Sequence, residues 1–175
     1  MLDIPSLKSP RLRMEALSRK HSAGMHLMWS QPEVCFHSGP AVDLIGNPIV
    51  LPARSPKDSD RIIDFFLDGQ KRRTCFRWAL ILSTNEEFVG TIGFNALGEC
   101  AEIAYHLRPD YWGRGLMAEA ATKALQWVQE EGGAMGVEAF IEPGNIPSVR
   151  IASRLGLSPT GEHVDGADRY YRALR

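Results

Sequence analysis

The spacing of apolar residues changes abruptly at a pair of glycines, Gly113 and Gly115. Three runs before this pair are rich in β-branched and aromatic residues and are separated by turn-forming segments: residues 76–82, 88–97 and 101–107. Such runs predict a three-stranded antiparallel meander. After the pair, apolar residues recur every three or four positions over residues 116–131, which predicts a helix that ends at Gly132 and Gly133.

The C-terminal part extends this pattern into a mixed sheet. Residues 137–141 predict a strand, and because a helix separates it from the meander, we expect it to pair in parallel through a crossover. A short helix over residues 147–155 and two strands around the turn at Asp165-Gly166 complete this part. The expected fold is therefore a single α+β domain over residues 1–175, with a mixed, mostly antiparallel central sheet flanked by helices.

The N-terminal third has a weaker pattern. Residues 7–14 alternate loosely and predict an opening strand, whereas residues 17–29 have helical spacing that one glycine interrupts. The stretch 32–56 is rich in proline and glycine and has no clear period, which indicates a functional loop or short helices. Asp58 or Ser59 is expected to cap the helix that follows.

Composition narrows the class of protein. The 175 residues are 44% hydrophobic and carry a formal net charge of -1 with both signs interspersed, so we expect no nucleic-acid partner. The sequence has neither a run of apolar residues long enough to span a bilayer nor a signal-peptide pattern. Its three cysteines are widely spaced, and its histidines fit no zinc spacing. These features predict a cytoplasmic protein with free thiols, no metal and no membrane partner.

The glycine pair indicates a site for an anion. Glycine permits a close approach of the backbone that a Cβ atom forbids. The start of the following helix offers unpaired N–H groups and a partial positive charge, which suit a pyrophosphate. Arg114, between the two glycines, either adds a cation that reaches a phosphate or is simply solvated. Two glycines before a helix are also compatible with an ordinary helix start.

A dinucleotide-binding protein is the main rival interpretation. Residues 113–118 formally fit the fingerprint GxGxxG/A. That fingerprint follows its strand almost directly, whereas residues 108–112 intervene here and three antiparallel strands precede. Too little chain remains after Ile141 for a second nucleotide-binding half, so the topology argues against this interpretation.

Four separate segments resemble the GNAT acetyltransferase superfamily. The resemblance is nearest to the branch that acetylates the N-terminal alanine or serine of ribosomal proteins. They are, in order, residues 9–14, residues 88–93, residues 101–120 with the acetyl-CoA signature, and Asn145-Ile146-Pro147-Ser148 followed by residues 154–157. The resemblance spans nearly the whole chain. Two departures are Asp110, where the superfamily often has Gln or Arg, and Leu157, where Phe is usual.

This resemblance implies that the chain binds acetyl-CoA without a metal. The strand that ends near Leu107 would pair with the pantetheine arm, and backbone amides from Trp112 through Met117 would hold the pyrophosphate. The implied cofactor-binding residues are Leu107, Trp112, Gly113, Arg114, Gly115, Leu116, Met117, Asn145 and Ser148. Ser148 would also assist the leaving thiolate. Asn145 fits a helix N-cap equally well, and one Asn can serve both roles.

Transfer of an acetyl group to an amine requires a group that accepts the amine's proton. Glu102 lies early in the strand before the signature, where some superfamily members have a base, but a solvated glutamate at a sheet edge is the simpler interpretation. His106 is a weaker candidate and fits a structural histidine. Glu119, four residues before Lys123, is expected to form a surface ion pair with it.

The acceptor is predicted only as a class. By resemblance it is the α-amine of a protein N-terminus, and a small amine, an amino acid or an antibiotic is the alternative. A CoA-binding regulatory module without catalysis is a further possibility. A homodimer is compatible with the family. Trp29, Phe36 and Ile49 near the 32–56 stretch are expected to be exposed and to line an interface or the acceptor pocket.

Overall fold

An eight-stranded sheet forms the centre of the computed structural model, which describes residues 2–174. The strands along the chain are β1 (Leu7–Lys8), β2 (Leu12–Ala16), β3 (Ala41–Val42), β4 (Pro48–Ile49), β5 (Phe76–Leu82), β6 (Phe88–Ala96), β7 (Cys100–Leu107), β8 (Gly136–Ile141), β9 (Ser158–Val164) and β10 (Ala167–Ala173). The α-helices are α1 (Ser22–Trp29), α2 (Pro32–Cys35), α3 (Pro56–Arg72), α4 (Leu116–Glu130) and α5 (Ile146–Arg154). The order in the large sheet is β1-β2-β5-β6-β7-β8-β10-β9, and β3 pairs with β4 separately.

The predicted fold class is confirmed. Strands β5, β6 and β7 form the antiparallel meander, and β8 pairs with β7 in parallel after the crossover through α4. The other pairings in the large sheet are antiparallel. The two tail strands, β9 and β10, form the predicted hairpin.

Helices cover both faces of the central strands, so these strands are buried almost throughout. One face packs against α4 in a cluster that includes Phe76, Trp78 and Trp127. The opposite face packs against α1 and α3 in a second cluster that includes Met28 and Ile63. Each cluster takes alternate residues of β5, as the two-residue period of a strand requires.

The N-terminal elements differ from the sequence predictions in their bounds. The single strand expected over residues 7–14 is two strands, β1 and β2. The helix expected over 17–29 begins later, because the Leu17 amide donates to the Arg77 carbonyl at 3.0 Å and prolongs the sheet. The glycine in α1 has a packing role: a Cβ atom at Gly24 would lie 2.4 Å from Phe88 Cγ. The ring of Phe88 occupies the space that any other residue would need.

The start of α3 was predicted too late. The helix begins at Pro56 with Ser55 as its N-cap, rather than with Asp58 or Ser59. Asp58 lies inside the first turn, and its carboxylate accepts the backbone amide of Ser55 at 3.0 Å. Proline at the first helical position and a carboxylate in the first turn both favour this earlier start.

The stretch 32–56 contains the short helix α2 and the two-stranded β3–β4 sheet. The predicted exposure of Trp29 and Ile49 was wrong, because their exposed fractions are 6% and 5%, whereas Phe36 is 76% exposed. Both buried side chains belong to the cluster beneath α1 and α3. Among residues 2–174, no helix combines the length and hydropathy needed to cross a bilayer.

Candidate active site

A gap between the two parallel strands organises the candidate site. Strands β7 and β8 pair at only three register positions, of which the last joins Glu102 to Glu138. Beyond that point β7 continues to Leu107 and β8 to Ile141 without pairing to each other. One edge of residues 103–107 therefore carries backbone groups that an extended ligand can pair with.

A cavity of about 1160 Å³ fills this gap and reaches both α1 and α5. Its lining includes most of the residues that the sequence singled out: Glu102, Leu107, Trp112, Gly113, Gly115, Leu116, Met117, Asn145 and Ser148. Arg114 is exposed and does not line the cavity. Its guanidinium lies instead over the Tyr111 ring, 5.2 Å from the centroid.

Six consecutive backbone amides at the start of α4 have no protein acceptor. Within residues 2–174, none of the amides from Gly113 to Ala118 donates a hydrogen bond to a backbone or side-chain acceptor. The first bond of the helix runs from the Glu119 amide to the Gly115 carbonyl at 3.1 Å. Unsatisfied amides at a helix N-terminus attract anions, because they combine donors with the positive end of the helix dipole.

The two glycines shape this row of amides. Gly113 and Gly115 have φ angles of 73° and 74°, a left-handed conformation that glycine adopts without strain. Gly115 is the N-cap of α4. The sequence interpretation began the row at Trp112, but the Trp112 amide donates to the Pro109 carbonyl at 3.0 Å. The Trp112 indole Nε1 donates to the Leu107 carbonyl at 2.7 Å. Trp112 therefore fixes the turn between β7 and the helix.

The turn between β1 and β2 holds the glycine turn from the other side. The carboxylate of Glu119 accepts the Ser9 hydroxyl at 2.6 Å and the Arg11 backbone amide at 2.8 Å, and it pairs with the Arg11 guanidinium at 2.9 Å. Arg11 also donates to the Arg114 carbonyl at 2.9 Å. The predicted surface pair of Glu119 with Lys123 was wrong, because these partners lie far away in the sequence. Burial raises the pKa of the Glu119 carboxyl, but the bonds from Ser9 and Arg11 outweigh burial and hold the pKa below its usual value.

The Glu119→Gln variant is expected to lose about 1 kcal/mol of unfolding free energy at pH 7 relative to the wild type. Because the folded pKa is below the unfolded one, the carboxylate's contribution is complete above the unfolded value of about 4.3 and is lost as pH falls through the folded value. The difference in unfolding free energy between the variant and the wild type, measured from urea unfolding curves, should therefore decrease below about pH 4. Glu131→Gln, at an exposed glutamate after the same helix, is the matched control and should change little. A Glu119→Gln loss that persists undiminished at low pH would contradict the ionic role.

Asn145 caps α5, as one of the two interpretations predicted. Its side-chain oxygen accepts the Ser148 backbone amide at 3.3 Å, and both residues line the cavity. The Tyr105 hydroxyl donates to the Ser148 carbonyl at 3.4 Å, and burial raises the pKa of Tyr105 to about 12. Tyr105 thereby joins β7 to α5 across the cavity.

Glu102 lies on a central strand and lines the cavity, so the interpretation as a sheet-edge residue was wrong. Its carboxylate accepts a hydrogen bond from Asn95 Nδ2 at 2.5 Å. The Asn95 side-chain oxygen accepts in turn from the Arg77 guanidinium. Asn95 thus connects a buried cation to the candidate base.

His106 lies on the same face of β7 as Glu102 and is half-buried. Burial and, to a lesser extent, the charge of Arg77 lower the pKa of His106 to about 3, so the imidazole is neutral at physiological pH. Its ring centroid lies 4.4 Å from that of Trp29. These contacts agree with the structural role predicted for this histidine.

Sequence reasoning missed several cavity residues, among them Arg77, Asn95 and His37. Arg77 is the one charged residue in the buried run of β5, and that isolated charge was the available signal. Neither Asn95 nor His37 belongs to a motif. His37 pairs with the Glu142 carboxylate at 2.9 Å and so joins the segment after α2 to the end of β8.

Comparison with known proteins identifies the family. Residues 11–158 match the family model described as Acetyltransferase (GNAT) domain. The chain belongs to the GNAT acetyltransferase family. The p20 protein of Bacillus licheniformis, described as an uncharacterised N-acetyltransferase, is 27% identical over 162 residues, which are 89% of this chain and 84% of that relative.

Solved GNAT structures share the fold over nearly the full chain. RimL, a ribosomal L7/L12 α-N-protein acetyltransferase in complex with coenzyme A, has a TM-score of 0.80 at 17% identity and covers 97% of this chain and 98% of its own. The microcin C7 self-immunity acetyltransferase MccE, in complex with acetyl-CoA and AMP, has a TM-score of 0.76 at 18% identity, with 94% and 93% covered. At these identities the likeness establishes the fold.

Proposed function

We propose that this GNAT acetyltransferase uses acetyl-CoA to acetylate a primary amine in the cavity between β7 and β8. The observation that carries the proposal is the row of six unsatisfied amides from Gly113 to Ala118 at the mouth of that cavity. Such a row is matched to a pyrophosphate, and the free edge of residues 103–107 is matched to the amide-containing pantetheine arm. The coenzyme complexes of RimL and MccE support the same cosubstrate.

We assign the following roles to the residues of this chain. Acetyl-CoA supplies an activated thioester when it is bound. The amides at the start of α4 and the edge of β7 orient it, and the fold contributes mainly proximity and fixed dipoles. Glu102 accepts the proton of the amine, and Asn95 holds the Glu102 carboxylate in place. The Ser148 hydroxyl, which belongs to the capped first turn of α5, assists the thiolate as it leaves.

Two classes of acceptor satisfy this chemistry. One is the α-amine of a protein N-terminus, the acceptor that the name of RimL states for that protein. The other is a small amine such as an amino acid or an antibiotic. Both present a primary amine, and the cavity is large enough for either kind of amine group to enter.

The test is an acetyl-transfer screen. Purified protein is incubated with acetyl-CoA and a panel of amino acids, polyamines, aminoglycosides and N-terminal peptides, and mass spectrometry detects the N-acetylated product while a thiol reagent measures released CoA. We expect at least one primary amine to be acetylated with equimolar CoA release. Tight binding of acetyl-CoA without any acetylated product would contradict the proposal and favour a regulatory module.

A further inference from the structure

A cation without a carboxylate partner lies in the wall of the cavity. Arg77 is only 4% exposed. Among residues 2–174 its hydrogen-bond partners are the Phe76 carbonyl at 3.2 Å and the Asn95 side-chain oxygen, and no carboxylate forms a salt bridge with it. Its guanidinium also stacks over the Phe66 ring, 4.1 Å from the centroid. Burial lowers the pKa of Arg77 to about 10, so the side chain keeps its charge at neutral pH.

Burying a charge without a partner is costly, and several of the guanidinium's donors stay unused. A guanidinium has five N–H groups, and two of them are accounted for by the Phe76 and Asn95 bonds. Both bonds go to neutral oxygens, and the negative charge of Glu102, which lies beyond Asn95, offsets the cation only in part. A site of this kind gains most from an anionic ligand.

The sheet leaves room beside this cation. The register partner of Arg77 on β6 is Gly93, and the partner of Gly93 on β7 is Ala104. Register partners on adjacent strands point to the same face, so two minimal side chains lie beside the guanidinium. Ala104 and Arg77 both line the cavity. A Cβ atom at Gly93 would clash with the backbone of Phe76 and Arg77, so Gly93 serves the close approach of β5 and β6, whereas the small side chain of Ala104 leaves cavity space on the face that carries Arg77.

Trp29 lines the same cavity and holds a buried donor without a partner in the described part of the chain. Trp29 is 6% exposed, and its indole Nε1 has no hydrogen-bond partner among the described residues. Buried indole N–H groups usually find an acceptor. The Trp29 ring contacts that of His106, which lies on the face of β7 that also carries Ala104 and Glu102. Because the Trp29 Nε1 atom is itself buried, the Trp29 ring contributes an apolar surface to the cavity, and Arg77 is the group of this wall that suits an anion.

We propose that Arg77 binds a carboxylate of the acceptor, so that the acceptor is a small amino acid with an apolar side chain. This inference rests on the proposed function. Asn95 bridges Arg77 to Glu102, so a bound carboxylate and the candidate base are separated by one side-chain amide. An α-amino acid carries its amine and carboxylate on one carbon and spans such a short distance. The aromatic side chains of Phe65, Phe66 and Trp29 line the cavity and suit an apolar side chain.

The alternative explanation is that Arg77 only positions Glu102 through Asn95. Pairs of matched acceptors distinguish the two explanations, because only a carboxylate-binding site discriminates between an acid and its carboxamide. The experiment measures kcat/KM for L-phenylalanine, L-leucine and L-methionine and for the three corresponding amides, with the wild type, Arg77→Met, Arg77→Lys and Asn95→Ala. The ratio of acid to amide, compared between variants, cancels the difference in amine basicity.

We expect Arg77→Met to reduce the acid-to-amide ratio by about 10- to 100-fold, mainly through KM, as loss of a charge-assisted pair predicts. Arg77→Lys should keep part of the preference for acids over amides, since lysine retains the charge but lacks the paired N–H groups with which a guanidinium binds both carboxylate oxygens. Asn95→Ala should lower kcat/KM for acids and for amides by the same factor. An equal loss on acids and amides in Arg77→Met would overturn the carboxylate site and leave only the positioning role.

A measurement on the wild type alone keeps the proposal testable if Arg77→Met does not fold. N-acetyl-L-phenylalanine should inhibit at a concentration at least about tenfold lower than N-acetyl-L-phenylalaninamide. Equal inhibition, or faster acetylation of a peptide N-terminus than of any free amino acid, would overturn the inference while leaving acetyl transfer intact. The absence of transfer to every acceptor would instead overturn the proposed function, and the acceptor inference with it.

Discussion

Replacing Gly113 with aspartate is expected to raise the dissociation constant for acetyl-CoA by about 10- to 100-fold. Residue 113 has a left-handed conformation, and a Cβ atom there would meet no atom within 4 Å. Asp and Asn tolerate this conformation better than other L-residues, so the turn should persist. The new carboxylate would lie at the row of free amides and repel a pyrophosphate. Isothermal titration calorimetry with acetyl-CoA measures the effect.

The matched control is Gly113→Asn, which adds a side chain of the same shape without the charge. We expect it to weaken binding by less than about fivefold, since the αL penalty for Asn is small. The difference in the dissociation constant for acetyl-CoA between the Asp and Asn variants should also decrease at high salt, because residue 113 is exposed and the charge of an aspartate there is screened. Equal dissociation constants for the two variants would contradict the assignment of these amides to a phosphate group.

The Glu102→Gln variant is expected to lower kcat by about 10²- to 10⁴-fold with an unchanged dissociation constant for acetyl-CoA. Glutamine keeps the size of the side chain and can accept from Asn95, but it cannot take a proton from the amine. The measurement combines steady-state kinetics on an acetylated amine with calorimetry. A loss of affinity for acetyl-CoA equal to the loss of rate would indicate a role in binding rather than in proton transfer.

Glu138→Gln is the matched control for this experiment. Glu138 is the register partner of Glu102 on β8, but its carboxylate pairs with Arg169 at 2.7 Å and does not line the cavity. The control should change kcat by less than about threefold once circular dichroism confirms that the variant is folded. An unchanged kcat in Glu102→Gln would remove Glu102 as the base and leave an ordered water as the acceptor of the proton.

The parts of the fold that the sequence predicted well are those in which local periodicity and burial agree. Strands β5 and β6 are buried on both faces, and α4 has one continuous apolar stripe, so their patterns identify them directly. The parallel pairing of β8 followed from the helix that precedes it. The glycine pair predicted the exact residue at which α4 begins, because glycine commonly marks positions with a left-handed backbone conformation.

Apart from the start of α3, where the local Ser55 cap was missed, the main errors come from contacts between segments distant in the chain. Gly24 weakened the helix prediction, although Phe88 from β6 is what requires a glycine there. Glu119 was assigned to a local partner, whereas Ser9 and Arg11 bind it from more than 100 positions away. Asn95 reaches Glu102 only because β6 and β7 are adjacent. No local spacing rule contains such information.

The measurement that tests the central claim most directly is thermal unfolding with and without excess acetyl-CoA, with NADH as the control. A ligand at about 100 times its dissociation constant adds roughly 2.7 kcal/mol, which raises Tm by several degrees in a domain of this size. The account predicts such a shift with acetyl-CoA and none with NADH. No shift with acetyl-CoA, or an equal shift with NADH, would contradict the assignment of the six amides and the β7 edge to acetyl-CoA.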